Sequence, residues 1–377
     1  MGHVQKRKLP SGQITWRARY RAPGGDERSR SFTRRSDADR FLANIEAEKV
    51  RGSWLDPRRS ETKLRDWAES WLSSVVHLKP KTRAGYESLL RSSILPAFGE
   101  APLSKLQPQH VREWLGDLTA RGMSPSRVRQ SFMLLSNLLN AAVESSYLGR
   151  NPCIGVKPPR LPRREMRYVD AEQVARLAEA MEPPFGLLVN VLAYGGLRWG
   201  EAAALRRKRC DLLRGRLEIA QSLAEVSGGL HFGEPKTYQH RWVRLPRFLR
   251  DDVEQHLLTH VDASPEALVF TVANGSPLRH SNFLRSVWKP ALVRAGLDDA
   301  LRPHALRHTC AAMLIAEGAN PKAIQAQLGH STIQVTFDRY GHLFDDHLDE
   351  LASKLHERWK TSGTVQDAAT PRPQHGL

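Results

Sequence analysis

The chain begins with a stretch in which apolar and polar residues alternate. In ITWRARYR an apolar side chain occupies every second position, at Ile14, Trp16, Ala18 and Tyr20. Alternation of this kind predicts a strand with one buried face. The turn-forming residues APGGDE lead into RSRSF, which we interpret as a second strand. From Ser36 the apolar residues return at helical spacing, so residues 1–57 are predicted to form a small sheet backed by a helix.

The polar face of this predicted sheet is cationic. We expect the arginines of the second strand to lie in register with those of the first, which places five on one face: Arg17, Arg19, Arg21, Arg28 and Arg30. A surface of this charge favours a polyanionic partner. The alternative is a basic hairpin that is merely solvated.

Residues 61–155 follow a helical pattern. Thr62 is predicted to cap a helix whose apolar stripe includes Leu64, Trp67 and Trp71. The run SPSRVRQSFMLLSNLLNAAVESSYL predicts a long helix, and KPKTRAGYESLLRSSILPAFG and QPQHVREWLGDLTARG each supply another. The pattern therefore predicts a domain of four helices.

A basic cluster opens the second of these helices. Lys79, Lys81 and Arg83 are candidate phosphate contacts, although such a cluster is often only a solvated helix face. The domain is followed by NPCIGVKPPRLPRRE, whose prolines end helices and stiffen the chain. We interpret this stretch as a linker.

Residues 163–360 are predicted to form a mainly helical domain with an inserted hairpin. Lys236 lies between the strand-like runs RLEIAQSL and RWVRLP, which are separated by several glycines. Near the end, Leu348, Leu351, Leu355 and Trp359 recur at helical spacing and form an apolar stripe that must be buried against something. The polar residues 361–377 are predicted to be disordered.

Composition supports a nucleic-acid partner. Lysine and arginine outnumber aspartate and glutamate by 57 to 40, which gives a formal charge of +17. Three cysteines form neither a CxxC site nor an even framework, so we expect a reduced compartment. No apolar run is long enough to span a membrane and no signal peptide is evident. The sequence predicts a cytoplasmic protein without a membrane partner.

The most informative residues lie in the last half of the chain. They are Arg198 in GGLRWGE, Lys236 in EPKT, His304 and Arg307 in HALRHT, His330 in LGHST, and Tyr340. Attack on a phosphodiester builds negative charge on its non-bridging oxygens, and planar arginine forks are suited to stabilise that charge. A phenol becomes a nucleophile when cations or a base stabilise its anion. The set therefore predicts strand cleavage without a metal or another cofactor.

The local spacings agree with this use. His304, Arg307 and His308 fall at positions i, i+3 and i+4, so a helix would place them on one face. In PKAIQAQLGHST a proline begins a helix and Gly329 ends it, which leaves His330 at the next turn.

Each motif also has a structural interpretation. Arg198 and Glu201, three residues apart, are able to form an ion pair with each other. His304 and His308 have the spacing of two zinc ligands, but no glutamate of an HExxH motif and no third ligand accompany them. His330 alone is more often a capping or core histidine, and Tyr340 alone is more often a packing residue.

The joint occurrence of these segments, in this order from Arg163 to Tyr340, resembles the tyrosine recombinases, also called phage integrases. The resemblance implies a mainly α fold with small β elements: an arm-type DNA-binding domain in residues 1–57, a helical core-binding domain in 61–155 and a catalytic domain in 163–360. It implies that Tyr340 forms a 3'-phosphotyrosine while Arg198, Arg307, His304 and His330 act on the phosphate. Lys236 is the candidate general acid.

The resemblance also implies partners. We expect double-stranded attachment-site DNA, four protomers on two duplexes, a Holliday-junction intermediate, and DNA-bending or directionality factors of a phage or mobile element. A topoisomerase-like enzyme and an inactive DNA-binding regulator of the same fold are the alternatives.

Overall fold

The computed structural model of the protein describes residues 2–22, 25–50, 57–161, 167–235, 240–344 and 348–366. The chain divides into two compact units, Met1–Arg163 and Arg164–Leu377. Most of the described residues are helical and the sheets among them are small and antiparallel. The predicted fold class, mainly α with small β elements, is confirmed.

The first unit begins with an antiparallel sheet in the order β1-β2-β3. Its strands are β1 (His3–Lys8), β2 (Ile14–Arg21) and β3 (Glu27–Phe32), and helix α1 (Arg35–Val50) packs on one face. The apolar alternation of β2 has the predicted effect, because Ala18 and Tyr20 are buried with Leu42 and Ile45 of the helix. Strand β1 is absent from the sequence prediction because HVQKRK has no apolar alternation; it forms by pairing with β2 along its whole length.

Arg28 and Arg30 lie on the helix side of this sheet, so their predicted place beside the other arginines is wrong. In the register of β2 and β3 they stand opposite Tyr20 and Ala18. Phe32 packs against the core under α1, and side chains two and four residues earlier share its face of the strand. The Arg30 guanidinium lies over the Phe32 ring at 5.4 Å from its centroid. Of the five predicted arginines, the open face keeps Arg17, Arg19 and Arg21.

The rest of the first unit is helical. Its helices are α2 (Pro57–Ser60), α3 (Leu64–Ser74), α4 (Pro80–Leu89), α5 (Leu95–Phe98), α6 (Pro108–Ala120) and α7 (Pro125–Glu144), with a π-helical turn at Leu90–Ile94 and a 3-10 turn at Leu103–Lys105. The Trp67 indole N–H donates to the Leu138 carbonyl at 2.9 Å and so fixes α3 against α7. The four predicted helical segments are present, since the π-helical turn joins α4 to α5. Thr62 does not cap α3; the N-cap residue is Lys63, which makes no side-chain capping bond.

The basic cluster at the start of α4 is only partly open to solvent. Lys79 is half-buried at the N-cap, and Lys81 is exposed. Arg83 donates to the Glu87 carboxylate at 3.2 Å and to the Leu72 carbonyl at 3.2 Å. Arg83 therefore has a structural role in joining two helices, whatever it contributes to DNA binding.

The predicted linker begins later than its prolines suggest. Cys153 and Val156 are buried in the core of the helical domain. The Asn151 side-chain amide donates to Asn140 Oδ1 at 2.6 Å and to the Ser136 carbonyl at 3.0 Å. These contacts make residues 151–156 part of the domain.

The second unit contains five short strands among its described helices. The helices are α8 (Ala171–Glu179), α9 (Phe185–Gly195), α10 (Trp199–Ala203), α11 (Arg247–Thr259), α12 (His280–Phe283), α13 (Lys289–Arg294), α14 (His304–Ala316), α15 (Pro321–Leu328), α16 (Ile333–Tyr340) and α17 (Leu348–Gln366). A π-helical turn spans Leu284–Trp288, and 3-10 turns span Arg207–Arg209 and Gly341–Leu343. The strands are β4 (Cys210–Asp211), β5 (Arg216–Ile219), β6 (Ser222–Val226), β7 (Gly229–Gly233) and β8 (Arg241–Arg244). Apolar helix α9 packs against α8 and α14 at the centre of this unit.

The inserted β segment is more divided than the sequence predicts. The run RLEIAQSL forms two strands: β5 pairs with β8 and β4, whereas β6 pairs with β7 in a separate hairpin. Ser227 and Gly228 form the two-residue turn of that hairpin, both with positive φ, as tight β-hairpins favour. Lys236 belongs to the connection from β7 to β8, and it lies outside the described residues.

Helix α17 carries the predicted apolar stripe and extends beyond the predicted boundary. It continues to Gln366, so residues 361–366 are helical and the expectation of disorder from residue 361 is wrong for them. Residues 367–377 lie outside the described part of the chain. Leu351, Leu355 and Trp359 are exposed, Leu355 by 68% and Trp359 by 71%.

Candidate active site

Arg198 is held at the start of α10 by Glu201. Its Nη1 donates to Glu201 Oε1 at 2.7 Å, and its backbone N–H donates to Oε2 at 2.9 Å. The structural interpretation of this pair is therefore correct as far as it goes. The ion pair leaves part of the guanidinium open to solvent, since about a quarter of the Arg198 side chain is exposed.

Arg241 shares the same carboxylate from the other side. Its Nη1 and Nη2 donate to the two oxygens of Glu201 at 3.0 and 2.6 Å. Burial alone would raise the pKa of Glu201, but the hydrogen bonds and charges of Arg241 and Arg198 outweigh it and hold that pKa at about 2. Glu201 is therefore a buried anion between two cations at any working pH.

Arg307 lies on α14 and is almost completely buried. Its Nη1 donates to the Gly196 carbonyl at 2.6 Å, and its Nη2 donates to the Leu328 carbonyl at 2.5 Å. Burial, followed by the charge of Arg198, lowers the pKa of the Arg307 guanidinium to about 9. The group still carries its charge at pH 7.

Three arginines bind three consecutive carbonyls where α15 ends. Arg241 Nε donates to Gln327 O at 3.2 Å, Arg307 to Leu328 O, and Arg198 Nη2 to Gly329 O at 3.2 Å. The last carbonyls of a helix lack partners within the helix and carry partial negative charge, so cations suit them. The end of α15 thus gathers the arginines of β8, α14 and the α10 N-terminus at one place.

Gly329 is required at this place for two reasons. Its φ of 67° is in the left-handed region. A β-carbon at this position would also lie 2.6 Å from Cδ of Arg241. The predicted C-cap glycine therefore ends the helix and also makes room for a guanidinium.

His330 follows directly and is buried, as the sequence places it at the turn after α15. Its Nδ1 lies 2.9 Å from Thr336 Oγ1, while its buried Nε2 has no hydrogen-bond partner among the described residues. Burial first, and then the charges of Arg307 and Arg339, lower the pKa of His330 to about 3. A buried ring nitrogen without a partner is costly, which marks this atom as one suited to bind a ligand.

Tyr340 is the last residue of α16, and its side chain has no solvent exposure. Its hydroxyl lies 2.8 Å from Nδ1 of His308, and its ring stacks on that of His330 with centroids 6.2 Å apart. Burial raises the pKa of the phenol, against the opposing charges of Arg307 and Arg339. The phenol is protonated in this state.

His304 and His308 share one face of α14, as predicted, with ring centroids 4.8 Å apart. His304 keeps an exposed face. Burial of the rest of the ring and the charge of Arg307 lower its pKa to about 4. The pKa of His308 is also about 4, because of burial and of repulsion from His304 once that ring is protonated. Both imidazoles are neutral at pH 7.

Within the described residues, five of the six predicted catalytic residues lie together: Arg198, His304, Arg307, His330 and Tyr340. Sequence reasoning missed Arg241 and gave His308 no catalytic role. The motif HALRHT places His308 on the same helix face as His304 and Arg307, whereas no local signal in the sequence identifies Arg241. The described residues contain no group of three or more histidine, cysteine, aspartate or glutamate side chains arranged to hold a metal ion. No described helix is long and apolar enough to cross a membrane.

A mainly helical domain that gathers charged arginines, neutral histidines and a tyrosine at one place has the composition of a phosphodiester-cleaving enzyme with a tyrosine nucleophile. Residues 167–347 match the phage integrase family, and residues 63–119 match the N-terminal SAM-like domain of phage integrases. The chain is 31% identical to the prophage phiRv2 integrase of Mycobacterium tuberculosis over 366 residues, which cover 93% of this chain and 95% of that protein. It is 28% identical to the integrase of Mycobacterium phage D29 over 338 residues, or 85% and 88% of the two chains.

Solved structures share the fold. The Tn1549 transposon integrase in complex with transposon right end DNA has a TM-score of 0.66 at 19% identity and covers 77% of this chain and 100% of that one. A lambda integrase tetramer bound to a Holliday junction has a TM-score of 0.57 at 17% identity and covers 87% and 95%. The chain belongs to the phage integrase family, the tyrosine recombinases. It is a site-specific recombinase, an enzyme that cleaves and rejoins DNA strands.

Proposed function

We propose that Tyr340 is the nucleophile of this recombinase. Its oxygen attacks the scissile phosphorus, the phenolic proton passes to the neutral imidazole of His304, a 3'-phosphotyrosine bond forms, and the bond from phosphorus to the 5'-oxygen breaks. The phosphodiester energy stays in the new ester, so neither ATP nor a metal enters the balance. The observation that carries this proposal is the position of the phenol, which lies in contact with His308 and stacked on His330.

Arg198, Arg307, His304 and His330 bind the phosphate in this proposal. The two guanidiniums supply charge that no proton transfer has to create, as transition-state stabilisation requires. The unpartnered Nε2 of His330 is the atom that a phosphate oxygen or a bound water would satisfy. Bound phosphate would also raise the lowered pKa values of the histidines, because it brings negative charge beside them. Lys236 protonates the leaving 5'-oxygen.

Cleavage needs a change at Tyr340. The side chain is fully buried and its phenol is protonated, so a duplex cannot reach it in this arrangement. We infer that DNA binding displaces the end of α16 and brings the hydroxyl, still oriented by His308, within reach of the phosphate.

We further propose that residues 1–57 bind arm-type DNA sites, that residues 61–155 and 163–360 bind the core site, and that four protomers act on two attachment sites. The lambda integrase tetramer bound to a Holliday junction supports the assembly, and so does the exposed stripe of α17. DNA-bending or directionality factors and a cytoplasmic location belong to the same proposal. The element carrying the gene would be a phage or another mobile element.

The test is Tyr340→Phe on a nicked suicide substrate. The substitution removes one oxygen and keeps the ring packing, so covalent capture should disappear while DNA binding persists. Adduct formation by the Phe variant would show that the nucleophile is another residue. Relaxed DNA without recombined product from the wild type would favour a topoisomerase-like activity, and binding without any adduct would favour a regulator.

A further inference from the structure

Arg241 lies at the centre of the charged network and directs its guanidinium to other groups of the protein. Only 9% of its side chain is accessible. All three of its side-chain nitrogens already have acceptors: two bind the Glu201 carboxylate and Nε binds the Gln327 carbonyl. A guanidinium with these contacts fixes the positions of the protein groups that it binds, the Glu201 carboxylate and the end of α15.

We propose that Arg241 is a positioning residue for strand cleavage, which acts through Glu201 to keep Arg198 oriented for the phosphate and to offset the negative charge of the carboxylate beside it. This inference rests on the proposed function, since it assumes that Arg198 binds the scissile phosphate. Arg241 would be a third functional arginine beside Arg198 and Arg307, and it would act without touching the substrate.

The charge balance at Glu201 supports this role. One buried carboxylate serves two guanidiniums, so the cluster of Arg198, Arg241 and Glu201 keeps a net charge of +1. Without Arg241 the carboxylate would have Arg198 as its main cation, and its field would cancel the charge that the phosphate needs. Arg198 would also be drawn deeper into the ion pair, because a buried carboxylate without enough donors is costly.

The geometry of the carboxylate gives independent support. Arg241 binds both carboxylate oxygens, a two-pronged arrangement that fixes the plane of the acceptor. The same carboxylate accepts from Nη1 and from the backbone N–H of Arg198. Arg241 therefore fixes the orientation of the Glu201 carboxylate, and that carboxylate in turn orients Arg198.

Arg241 also fits closely against α15. Gly329 leaves the space that the guanidinium fills. Beside it, the Gln327 side chain accepts from the Arg244 backbone N–H at 3.0 Å and donates to the Arg244 carbonyl at 2.9 Å. These bonds hold strand β8 against the end of α15, where Arg241 binds the Gln327 carbonyl and Arg198 binds the Gly329 carbonyl.

The experiment measures DNA affinity and single-turnover cleavage of a suicide substrate separately. Arg241→Gln should bind core-site DNA normally and cleave on the order of 100-fold more slowly, as expected for a misplaced catalytic group. Arg241→Lys keeps the charge but cannot bind both oxygens in the same plane, so it should recover part of the rate. Arg244→Gln is the matched control, because Arg244 lies on the same strand with its side chain exposed; its rate should equal that of the wild type.

A double-mutant cycle separates positioning from a general structural role. If Arg241 acts through Glu201, the variant carrying both Glu201→Gln and Arg241→Gln should cleave no more slowly than the slower single variant. Multiplied losses, or a loss of DNA affinity equal to the loss of rate, would overturn the proposal. Thermal unfolding of each variant identifies any that fail to fold, and Arg241→Lys then carries the test.

The measurements distinguish a failure of the role proposed for Arg241 from a failure of the proposed function. If the wild type forms the Tyr340 adduct and Arg241→Lys and Arg241→Gln cleave at the wild-type rate, only the role of Arg241 is rejected. If the wild type forms no adduct, the proposed function itself fails.

Discussion

Nδ1 of His308 lies 2.8 Å from the hydroxyl of Tyr340. Burial, and repulsion from His304 once that ring is protonated, lower the pKa of His308 to about 4. The ring is therefore neutral at pH 7, and its Nδ1 is able to accept a hydrogen bond from the phenol. So low a pKa makes His308 a poor acceptor of a full proton. Its contribution is to orient the hydroxyl within the buried site.

Replacement of His308 by Phe keeps a ring against Tyr340 but removes the acceptor. We expect slower covalent capture by on the order of tenfold, the cost of one hydrogen bond of about 1 to 2 kcal/mol. His308→Gln, whose amide oxygen is an acceptor, should be less impaired. Single-turnover capture on suicide DNA measures the effect, and equal rates for the wild type and the Phe variant would remove His308 from the mechanism.

Acid should destabilise the second unit through its neutral histidines. Their ordinary pKa is 6.5, whereas the folded chain lowers it to about 4 at His308 and about 3 at His330, mainly by burial. The unfolded state therefore takes up protons first as pH falls below 6.5, and stability falls with it until the folded pKa values are reached. The stability contributed by the neutral rings is complete above pH 6.5.

His330→Phe removes one of these titrating groups and keeps a planar ring in its place. We expect its free energy of unfolding to fall less steeply than that of the wild type between pH 6.5 and 4. Urea unfolding at several pH values measures the two slopes. Parallel curves for the two proteins would mean that His330 is not held neutral in the folded state.

The local features of the site could be predicted from the sequence, because they depend on spacing. Pro321 and Gly329 begin and end α15 where the sequence indicates, and His304, Arg307 and His308 share one helix face. Arg241 could not be predicted, since its partner Glu201 lies 40 residues away and the pair depends on how β8 packs against α10 and α15. Long-range pairing of charges leaves no periodic signal in a single sequence.

The errors in the small sheet have a different cause. A strand has a period of two, so a change of one residue in the register moves every side chain to the other face. The sequence pattern aligns the arginines of RSRSF with those of ITWRARYR, whereas burial of Phe32 requires the opposite choice. Strand β1 and the full length of α17 escape prediction because their polar residues carry no apolar pattern.

The open face of the N-terminal sheet is expected to bind DNA phosphates. Arg17→Gln, Arg19→Gln and Arg21→Gln together should lower arm-site affinity and reduce the slope of log affinity against log salt by about 0.9 for each phosphate that the variant no longer neutralises. Arg30→Gln, on the helix side of the same sheet, is the matched control and should leave the slope unchanged. Core-site cleavage should not respond. Filter binding over a salt series checks this, and an equal effect of all four substitutions would indicate nonspecific charge.

Helix α17 should mediate assembly. The combined substitution Leu355→Asp and Trp359→Asp introduces charge into the exposed apolar stripe, so we expect it to reduce tetramer formation and recombination more than DNA affinity. Sedimentation of protein with core-site DNA measures the assembly. An intact tetramer from this variant would show that the stripe packs within its own chain or remains free.

Variants that lack Lys236 and variants that lack a site arginine should differ in their cleavage rates on a substrate with a bridging 5'-sulfur. Sulfur leaves without a proton, so a variant that lacks the general acid should regain much of its rate on that substrate, whereas a variant that lacks charge stabilisation should not. We expect recovery for Lys236→Ala and none for Arg198→Ala, whose loss should cost about 3 kcal/mol, on the order of a hundredfold in rate. Cleavage rates on paired oxygen and sulfur substrates give the comparison. If Lys236→Ala is equally slow on both, Lys236 is a DNA contact, and the exposed His304 becomes the better candidate for the acid.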